Sequence, residues 1–484
     1  MWYRRQIFLL ILLCLLASGQ AAEQEDDGGS LVIGPRTQET RPDWAKLKIQ
    51  LNSADFDQAS AAARALVETH DPAVAPIFWD LYNRGNGQRR LLALRCAGKL
   101  CPKTDAETLY RVALSDFSMT IRLAAAEELA RLEDAAPACA RFGAAAEDEK
   151  KLLVYRVRAL QALARIGGRG AAEMLLRWLN SKETELAVAA AEGLGYCGGL
   201  AQTGPLLKAL AAAEPELQPE AAEALSQLTG KKFGCDLVKW AEWEKEVKAA
   251  PEDPKPPAGG AQDRPGEYYA PEVKAPGERS VDLALVYDTT GSMGSVWYEV
   301  GPELDALLAE VVKQNQSLRL GTVKYRSANL QESQYMVAAR PFTRQQQEVR
   351  KELLATPFGE GSGAVYEGLR QAVNGLAWRV HARKIVILLG DITPAGAGQA
   401  LCPRLIEELW RMDGLLVTTL YVHTLHGDNY DVYRGLALAG GGRFFEFNRA
   451  VKHLLDNTAE KANTHHVELT PETAAKLITP RDSP

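Results

Sequence analysis

Apolar residues between positions 43 and 248 recur at helical spacing, and the pattern itself repeats along the chain. Five Ala-rich segments carry it: Leu92–Leu100, Arg122–Leu132, Arg158–Ile166, Val188–Tyr196 and Glu220–Leu228. The steps between their last residues are 32, 34, 30 and 32, and a weaker copy, Ala59–Val67, precedes them. A helix pair of this length cannot bury its own apolar face, so we expect the copies to stack on one another.

A second amphipathic stretch follows several copies, for example Ala171–Leu179 and Gly204–Leu210, which predicts helix pairs. The segment 43–248 therefore resembles a HEAT-type α-solenoid of about six helix pairs. Armadillo-type repeats and a single irregular helical bundle are the alternatives. Trp240 and Trp243 are expected to pack as a cap on the last pair.

Residues 249–279 differ in composition from both flanking regions. They contain seven prolines among Gly, Glu, Asp and Lys, and few apolar residues. Such a segment is typical of an extended, semi-flexible linker, so we predict a second domain of a different kind after it.

From residue 280 the apolar pattern alternates between strand and helix. Predicted strands include Val281–Tyr287, Leu318–Tyr325, Lys384–Gly390, Leu415–Val422 and Arg443–Phe447, and predicted helices include Pro302–Asn315, Val365–Leu376, Pro403–Met412 and Val451–Ala462. This alternation predicts an α/β, doubly wound, Rossmann-like domain with a mostly parallel sheet. Tyr335–Phe342 follows a strand without an intervening helix and is expected at an antiparallel edge. Residues 467–484 are expected to form a loose tail.

The carboxyl ends of two predicted strands carry oxygen ligands. Asp288, Thr290 and Ser292 follow the first strand at a spacing of two residues, and Asp391 follows the apolar strand that ends at Gly390. Ligands bind outside the carboxyl ends of strands in such sheets. Carboxylates and hydroxyls suit Mg²⁺, Mn²⁺ or Ca²⁺ and suit zinc poorly. The sequence thus predicts a divalent-metal site, with a helix N-cap as the alternative role for Asp391.

These residues resemble the metal-ion-dependent adhesion site of the von Willebrand factor A (VWA) family, which has Asp-x-Ser/Thr-x-Ser on one loop and Asp on another. Asp288, Thr290, Ser292 and Asp391 match that pattern directly. The resemblance implies a VWA domain over 280–466. It also implies a bound Mg²⁺, Mn²⁺ or Ca²⁺ ion whose shell is completed by an acidic side chain of a protein partner.

A bacterial subset of the family resembles this chain more closely. The shared features are Tyr325-Arg326, Pro341-Phe342-Thr343, Gly390-Asp391 with Pro394, and a Gly-rich loop before Val365-Tyr366-Glu367-Gly368-Leu369. The chain departs from the subset in that loop, where an Asp and a Pro are usual and Glu360 and Ser362 stand instead. Glu360, Ser362 or neither residue would then supply the second-loop ligand.

The N-terminal residues 1–22 resemble a secretory signal peptide. Arg4 and Arg5 precede an apolar run, Ile7–Ala17, which is too short to span a bilayer, and small residues follow it. We therefore expect export to the periplasm or the cell exterior, with an uncleaved membrane anchor as the alternative. No other segment predicts a membrane span. The formal net charge of −6 argues against nucleic-acid binding, which needs a basic surface.

Six of the seven cysteines lie outside this leader. Cys96, Cys139 and Cys197 fall in Ala-rich helical patterns, and no pair of cysteines has zinc-site spacing with His. We therefore expect free thiols packed among apolar side chains.

No nucleophile elbow, zinc-protease helix or P-loop occurs in the sequence, so we expect a protein that is not an enzyme. The leading hypothesis is an exported binding, adhesion or scaffold protein with a metal site and a helical-repeat interaction surface. An assembly or metal-insertion factor for a protein complex and a metal-dependent hydrolase are the alternatives.

Overall fold

The structure is a computed structural model, and it describes residues 43–100, 105–212, 214–249, 280–315, 317–327, 335–424, 429–447 and 471–480. The predicted leader lies outside the described residues, and so does the predicted linker except for Ala249. Trp44 onward forms one compact unit.

The described residues of 44–249 form a helical array. Its helices are α1 (Trp44–Leu51), α2 (Phe56–Glu68), α3 (Ala75–Arg84), α4 (Gly87–Leu100), α5 (Ala106–Ser115), α6 (Met119–Glu133), α7 (Ala135–Glu147), α8 (Leu153–Ile166), α9 (Gly168–Trp178), α10 (Thr184–Cys197), α11 (Thr203–Ala211), α12 (Gln218–Thr229) and α13 (Leu237–Ala249).

The five repeated segments form five equivalent helices, α4, α6, α8, α10 and α12, and each of these contacts the next. The intervening helices α3, α5, α7, α9 and α11 each pair with the repeat helix that follows. Small residues allow the close approach: a Cβ atom on Gly193 of α10 would lie 2.9 Å from Ala164 Cβ of α8. The predicted stack of helix pairs is therefore confirmed.

The end of the array is closed by aromatic packing. Trp240 is fully buried, its ring meets Phe233 and Trp243 edge-on, and its indole N–H donates to the Gly234 carbonyl at 2.8 Å. The expected cap on the last helix pair is present. Of the five cysteines that the structure describes, all are free thiols and three are buried, namely Cys96, Cys139 and Cys402.

The second domain is an α/β sandwich. Its elements are β1 (Val281–Asp288), α14 (Gly291–Gln314), β2 (Leu318–Tyr325), β3 (Val337–Thr343), α15 (Gln346–Leu354), α16 (Val365–Gly375), β4 (Arg383–Gly390), α17 (Gly398–Asp413), β5 (Leu416–Val422), α18 (Tyr430–Ala439), β6 (Gly441–Phe447) and α19 (Pro471–Leu477).

The six strands form one sheet in the order β3-β2-β1-β4-β5-β6, and every neighbouring pair is parallel except β2 and β3. The expected antiparallel edge is therefore confirmed. Helices α14, α15 and α19 cover one face, and α16, α17 and α18 cover the other. β2 lies on one side of β1, and β4 lies on the other side of β1. The strand order therefore reverses between β1 and β4, and sheets of this kind bind ligands at that point.

Two of the sequence-based predictions for this domain are wrong, and a third lies outside the described residues. The helix after β1 begins at Gly291 and carries Pro302 in its interior, eleven residues earlier than the Pro302 start that the sequence predicted. The expected loose tail is wrong for Pro471–Leu477, because this stretch is a helix that contacts α14 and β6. Ala474, Leu477 and the following Ile478 are buried there. The predicted helix Val451–Ala462 lies outside the described residues.

Among the described residues, no helix is both long enough and apolar enough to cross a membrane.

A buried ionic cluster lies at the amino-terminal ends of the central strands. Asp282 of β1 accepts two bonds of 2.8 Å from Arg319 of β2, and the Arg379 backbone N–H and guanidinium donate to it at 2.8 and 2.9 Å. Arg379 also donates to Glu220 of α12, so the cluster joins the sheet to the array. Burial alone would raise the pKa of Asp282, but the two guanidinium groups outweigh it and hold that pKa well below its usual range.

We expect Asp282→Ala to lower the free energy of unfolding by about 3–5 kcal/mol, because it leaves two guanidinium groups buried without their shared carboxylate. Urea unfolding followed by circular dichroism measures the change. The Asp282 contribution is complete above the ordinary carboxyl pKa of about 3.9 and is lost as the pH falls through its lower folded-state pKa. The gap between wild type and variant should therefore narrow below about pH 4.

Glu348→Ala is the control, since Glu348 pairs with Arg340 on the exposed side of the molecule, where an ion pair contributes less than about 1 kcal/mol. Equal destabilisation by the two substitutions would contradict a central role for Asp282.

Candidate metal centre

The first site loop is two residues long and leads directly into a helix. Asp288 is the buried last residue of β1, and its Oδ1 accepts the Thr290 backbone N–H at 2.7 Å. Thr290 precedes the first residue of α14, so Ser292 lies in the first helical turn and not in an extended loop. The Thr290 and Ser292 hydroxyl oxygens lie 3.0 Å apart. The structure thus brings the three predicted first-loop ligands into one short segment.

Asp391 follows β4, the strand beside β1. A Cβ atom on Gly390 would lie 3.1 Å from Asp288 Cβ, so the ends of the two strands are in close contact. Asp391 Oδ2 accepts the Thr424 hydroxyl at 2.7 Å, and the Asn429 side-chain amide donates to the Asp391 carbonyl at 2.7 Å. The N-cap alternative for Asp391 is wrong, because the next helix begins only at Gly398.

Each of the two carboxylates keeps one buried oxygen that accepts no hydrogen bond from any described residue. These atoms are Asp288 Oδ2 and Asp391 Oδ1. A buried carboxylate oxygen without a partner is costly, and a cation removes that cost. With the Thr290 and Ser292 hydroxyls beside them, they form the hard oxygen set that Mg²⁺ or Mn²⁺ prefers. The residues present therefore fit a divalent cation.

The electrostatics of the two carboxylates agree with this. Burial, and then the charge of Asp391, raise the pKa of Asp288 to about 8, while Arg326 and the Thr290 hydrogen bonds oppose the rise only in part. Two carboxyl groups are thus held near each other, and Arg326 offsets their mutual repulsion only in part. Within the described residues no group of three or more His, Cys, Asp or Glu side chains could hold a metal, so this site depends on two carboxylates plus hydroxyls.

The second, Gly-rich loop lies beside the first. The Gly359 N–H donates to the Thr289 carbonyl at 3.2 Å, and Thr290 and Gly359 form a parallel bridge. Glu360 and Ser362 are both exposed. The Ser362 hydroxyl lies 3.2 Å from the hydroxyl of buried Ser327, whereas no described residue forms a hydrogen bond or ion pair with Glu360. Which of the two, if either, binds a metal stays a prediction.

Arg326 forms hydrogen bonds with both the first loop and the Gly-rich second loop. Its guanidinium donates to the Thr289 carbonyl at 3.1 Å and to the Pro357 carbonyl at 2.6 Å. Its backbone carbonyl accepts the Gly363 N–H at 2.9 Å, and the Tyr335 ring stacks 4.6 Å from its guanidinium. The Tyr-Arg pair of the sequence therefore serves to hold the loops. Gly363, with φ of +76°, leaves room for Ile392, which brings the third loop against the second.

Two tyrosines form the floor of the site. Tyr325 and Tyr433 are fully buried with their hydroxyl oxygens 3.4 Å apart, and Tyr433 donates to the Ile392 carbonyl at 3.1 Å. A Cβ atom on Gly390 would lie 2.5 Å from both hydroxyl oxygens. Only glycine fits there, because any side chain would displace the tyrosines or the neighbouring Asp288.

Comparison with protein-family models and with curated proteins gave no match. Solved structures gave partial similarities. The SpRpn10 VWA domain is 10% identical with a TM-score of 0.29, and the match covers 38% of this chain and 100% of that domain. Solved structures that resemble part of this chain therefore include a VWA domain.

Two further solved structures also match in part. The pilus adhesin SpaC from Lactobacillus rhamnosus GG, in its open conformation, is 16% identical with a TM-score of 0.29, and the match covers 37% of this chain and 29% of the adhesin. Proximal thread matrix protein 1 from the mussel byssus is 16% identical with a TM-score of 0.31, and the match covers 42% of this chain and 48% of that protein. This chain spans less than half the length of each, and the similarity concerns the fold alone.

Sequence reasoning missed Thr424 and Asn429, although the rule that located Asp391, which considers residues just after a strand, also applies to Thr424. Thr424 lies just beyond β5, the strand next to β4, and therefore at the same edge of the sheet. His423, the residue before Thr424, is half-buried, and its Nε2 lies 3.0 Å from Oε2 of nearly buried Glu446. His426 lies outside the described residues.

We expect Asp288→Asn to stabilise the metal-free protein at pH 8 by about 1 kcal/mol or more, because it removes an uncompensated buried charge. The folded-state pKa of about 8 exceeds the ordinary value, so the protonated carboxyl stabilises the fold below about pH 3.9 and this contribution is lost as the pH rises through 8. Thermal unfolding in a chelator should show a gain in stability at pH 8 that shrinks as the pH falls and vanishes near pH 4. A variant that is less stable than wild type at pH 8 would contradict the assignment.

Gly390→Ala should destabilise the protein by about 1–3 kcal/mol, because the added methyl group overpacks the tyrosine floor. Gly435→Ala in α18 is the matched control, since a Cβ atom there meets nothing within 4 Å and should stabilise the helix by roughly 0.5–1 kcal/mol. Chemical denaturation of both variants tests the pair, and a neutral Gly390→Ala would contradict the close packing.

Proposed function

We propose that this chain is a non-catalytic binding protein that captures a protein partner through a divalent cation held by Asp288, Thr290, Ser292 and Asp391. The observation that carries the proposal is the pair of buried carboxylate oxygens, Asp288 Oδ2 and Asp391 Oδ1, that accept no hydrogen bond from the described residues. The VWA-type metal-ion-dependent adhesion site is the arrangement that these residues resemble.

Magnesium is the ion that we propose, with Mn²⁺ and Ca²⁺ as competitors. Two carboxylates balance the charge of one divalent cation, and two neutral hydroxyls add ligands without adding charge. Mg²⁺ takes six oxygens in octahedral geometry, and it usually keeps waters or binds a partner's oxygens in addition to a few protein ligands. Four protein oxygens, or five with a ligand from the second loop, leave at least one position at which an acidic side chain of a partner would bind directly.

The second loop tunes this site. Glu360 as a direct ligand would add a third carboxylate and weaken the attraction for a partner's carboxylate. Ser362 is the ligand that we propose instead, because its hydroxyl is already joined to Ser327, the residue that follows Arg326. A neutral second-loop ligand keeps the cation electrophilic.

Binding, and not hydrolysis, is the use of the site that we propose. Hydrolysis needs a general base near the ion. We propose no general-base role for His423, the histidine beside Thr424, whose Nε2 lies 3.0 Å from Oε2 of Glu446. We propose that this binding takes place outside the cytoplasm, because residues 1–22 resemble a secretory signal peptide.

Mg²⁺ should raise the Tm of the wild-type chain, because a ligand of the folded state stabilises it by about 2.7 kcal/mol at a free concentration of 100 times Kd. Asp391→Ala and Asp288→Ala should each abolish the shift. Ser362→Ala should reduce it, while Glu360→Ala should leave it unchanged. Calorimetric titration of the purified chain with Mg²⁺ gives the affinities, and an unchanged wild-type Tm would refute the metal site.

The partner is tested by capture from the extracytoplasmic fraction of the source cells on immobilised chain. Capture should be lost in a chelator, restored by Mg²⁺, and absent with Asp288→Ala. Glu360→Ala is the control that keeps the fold and the charge of the core ligands. Capture that is indifferent to the chelator would show that the metal is not the contact.

A further inference from the structure

We propose that the row formed by α4, α6, α8, α10 and α12 is a docking surface for the chain's own α/β domain, and that it holds this domain when the connecting segment is cut. The helical array would then be a permanent base for the metal domain and not a free second binding module. The inference is independent of the metal and rests on polar contacts that run from one repeat helix to the next.

The first contacts join α4 and the start of α6 to the end of α17. Arg90 of α4 forms an ion pair of 2.5 Å with Glu408 of α17. Asp413, the last residue of α17, accepts the backbone N–H groups of Met119 and Thr120 at 2.9 Å each and the Ser118 hydroxyl at 3.0 Å. The first N–H groups of a helix have no partner within it, so this carboxylate caps α6 from the other domain.

The reverse arrangement occurs in the middle of the row. Glu192 of α10 accepts the backbone N–H groups of Val380 and His381, at 3.0 and 2.7 Å, from the segment before β4. The Gln161 amide of α8 donates to the Trp378 carbonyl at 2.8 Å, and Arg158 donates to the Asn374 carbonyl at 3.2 Å. Charge-assisted bonds to backbone N–H groups are stronger than neutral ones.

The last contacts lie at α12. Glu216, just before this helix, accepts the Thr343 hydroxyl at 2.8 Å and the Arg344 backbone N–H at 2.5 Å. Glu220 of α12 pairs with Arg344 at 2.9 Å and with Arg379, which belongs to the buried Asp282 cluster. Because Glu220 is itself buried, its removal would leave guanidinium groups uncompensated inside the molecule.

Apolar packing fills the space between these polar contacts. Met119, Phe117 and Leu123 of the array belong to the core formed by β1, β2, α16 and α17. Met412 of α17 packs in turn against the array core, and a Cβ atom on Gly87 would lie 2.5 Å from its Cγ. Shared cores of this kind, together with desolvated charges, are typical of permanent interfaces.

The contacts named above lie near the amino-terminal ends of the strands, whereas Asp288 and Asp391 lie at the carboxyl-terminal ends. None of these named contacts involves the metal loops. The contacts also mean that the surface of the repeat row, which the sequence offered as an interaction surface for other proteins, is used within the chain.

The test is a full-length chain with a protease recognition sequence inserted between Gly259 and Gly260. After complete cleavage, we expect both fragments to elute together on size exclusion at micromolar concentration, with the melting profile of the uncut chain. Fragments that separate, or one that precipitates while the other stays in solution, would overturn the proposal.

Substitutions in the cleavable chain locate the surface. Glu192→Ala and Asp413→Ala should each raise the dissociation constant of the cut complex at least tenfold, because each removes a carboxylate that accepts two backbone N–H groups across the interface. Glu173→Ala is the control, since Glu173 is an exposed glutamate of the array that pairs with Arg169 of its own helix, α9. Two variants are used so that misfolding of one does not leave the test without a result. Circular dichroism of the uncut chains checks that both variants are folded. Equal dissociation constants for wild type, both variants and the control would refute this surface as the docking site.

Discussion

The structure depends most on the adjacency of β1 and β4, which places two buried carboxylates at one edge of a parallel sheet. No positive side chain compensates them fully, and burial together with mutual repulsion raises the pKa of Asp288 to about 8. The surrounding residues fix this arrangement in place. Gly390 lets the strand ends meet, the Tyr325 and Tyr433 hydroxyls fill the floor, and Arg326 holds the neighbouring loops. A fold that keeps such an unfavourable pair so well ordered is one that a cation would stabilise.

Local periodicity was enough to predict most of the architecture. The repeat helices were predicted because their apolar and Ala positions recur at one period, and the strands because fully apolar runs end in turn residues. Asp288 and Asp391 were found by one rule about strand ends. The start of α14 was misplaced, because Pro302 reads as a first helical residue, although a proline inside a long helix is tolerated where the chain can bend around it. Thr424 was missed because its proximity to Asp391 follows from β5 lying beside β4, and neighbouring strands are not evident from one sequence.

The contacts between the domains were beyond sequence reasoning for a different reason. Asp413 and Glu192 bind backbone N–H groups, and any sequence provides those, so no complementary residue marks the partner segment. Asp282 and Arg319 did leave a signal, since each is a charged residue in an otherwise buried strand. Such a residue implies a buried partner. It does not say that the cluster extends through Arg379 to Glu220 in another domain, because that step depends on tertiary packing alone.

Buried carboxyl groups thus lie at both ends of the central strands, and their neighbouring charges are opposite in sign. At the amino-terminal edge, Asp282 is buried, but two guanidinium groups neutralise its charge and lower its pKa. Six residues along the same strand, Asp288 is equally buried but faces another carboxylate, and its pKa rises. Because the desolvation cost is common to both, the difference lies in the neighbouring charges. The balanced edge is complete within the chain and suits a permanent contact, whereas the unbalanced edge still lacks positive charge. We therefore propose that other molecules are recognised at the edge that carries Asp288 and Asp391, where a cation would supply that charge and a partner would complete its shell.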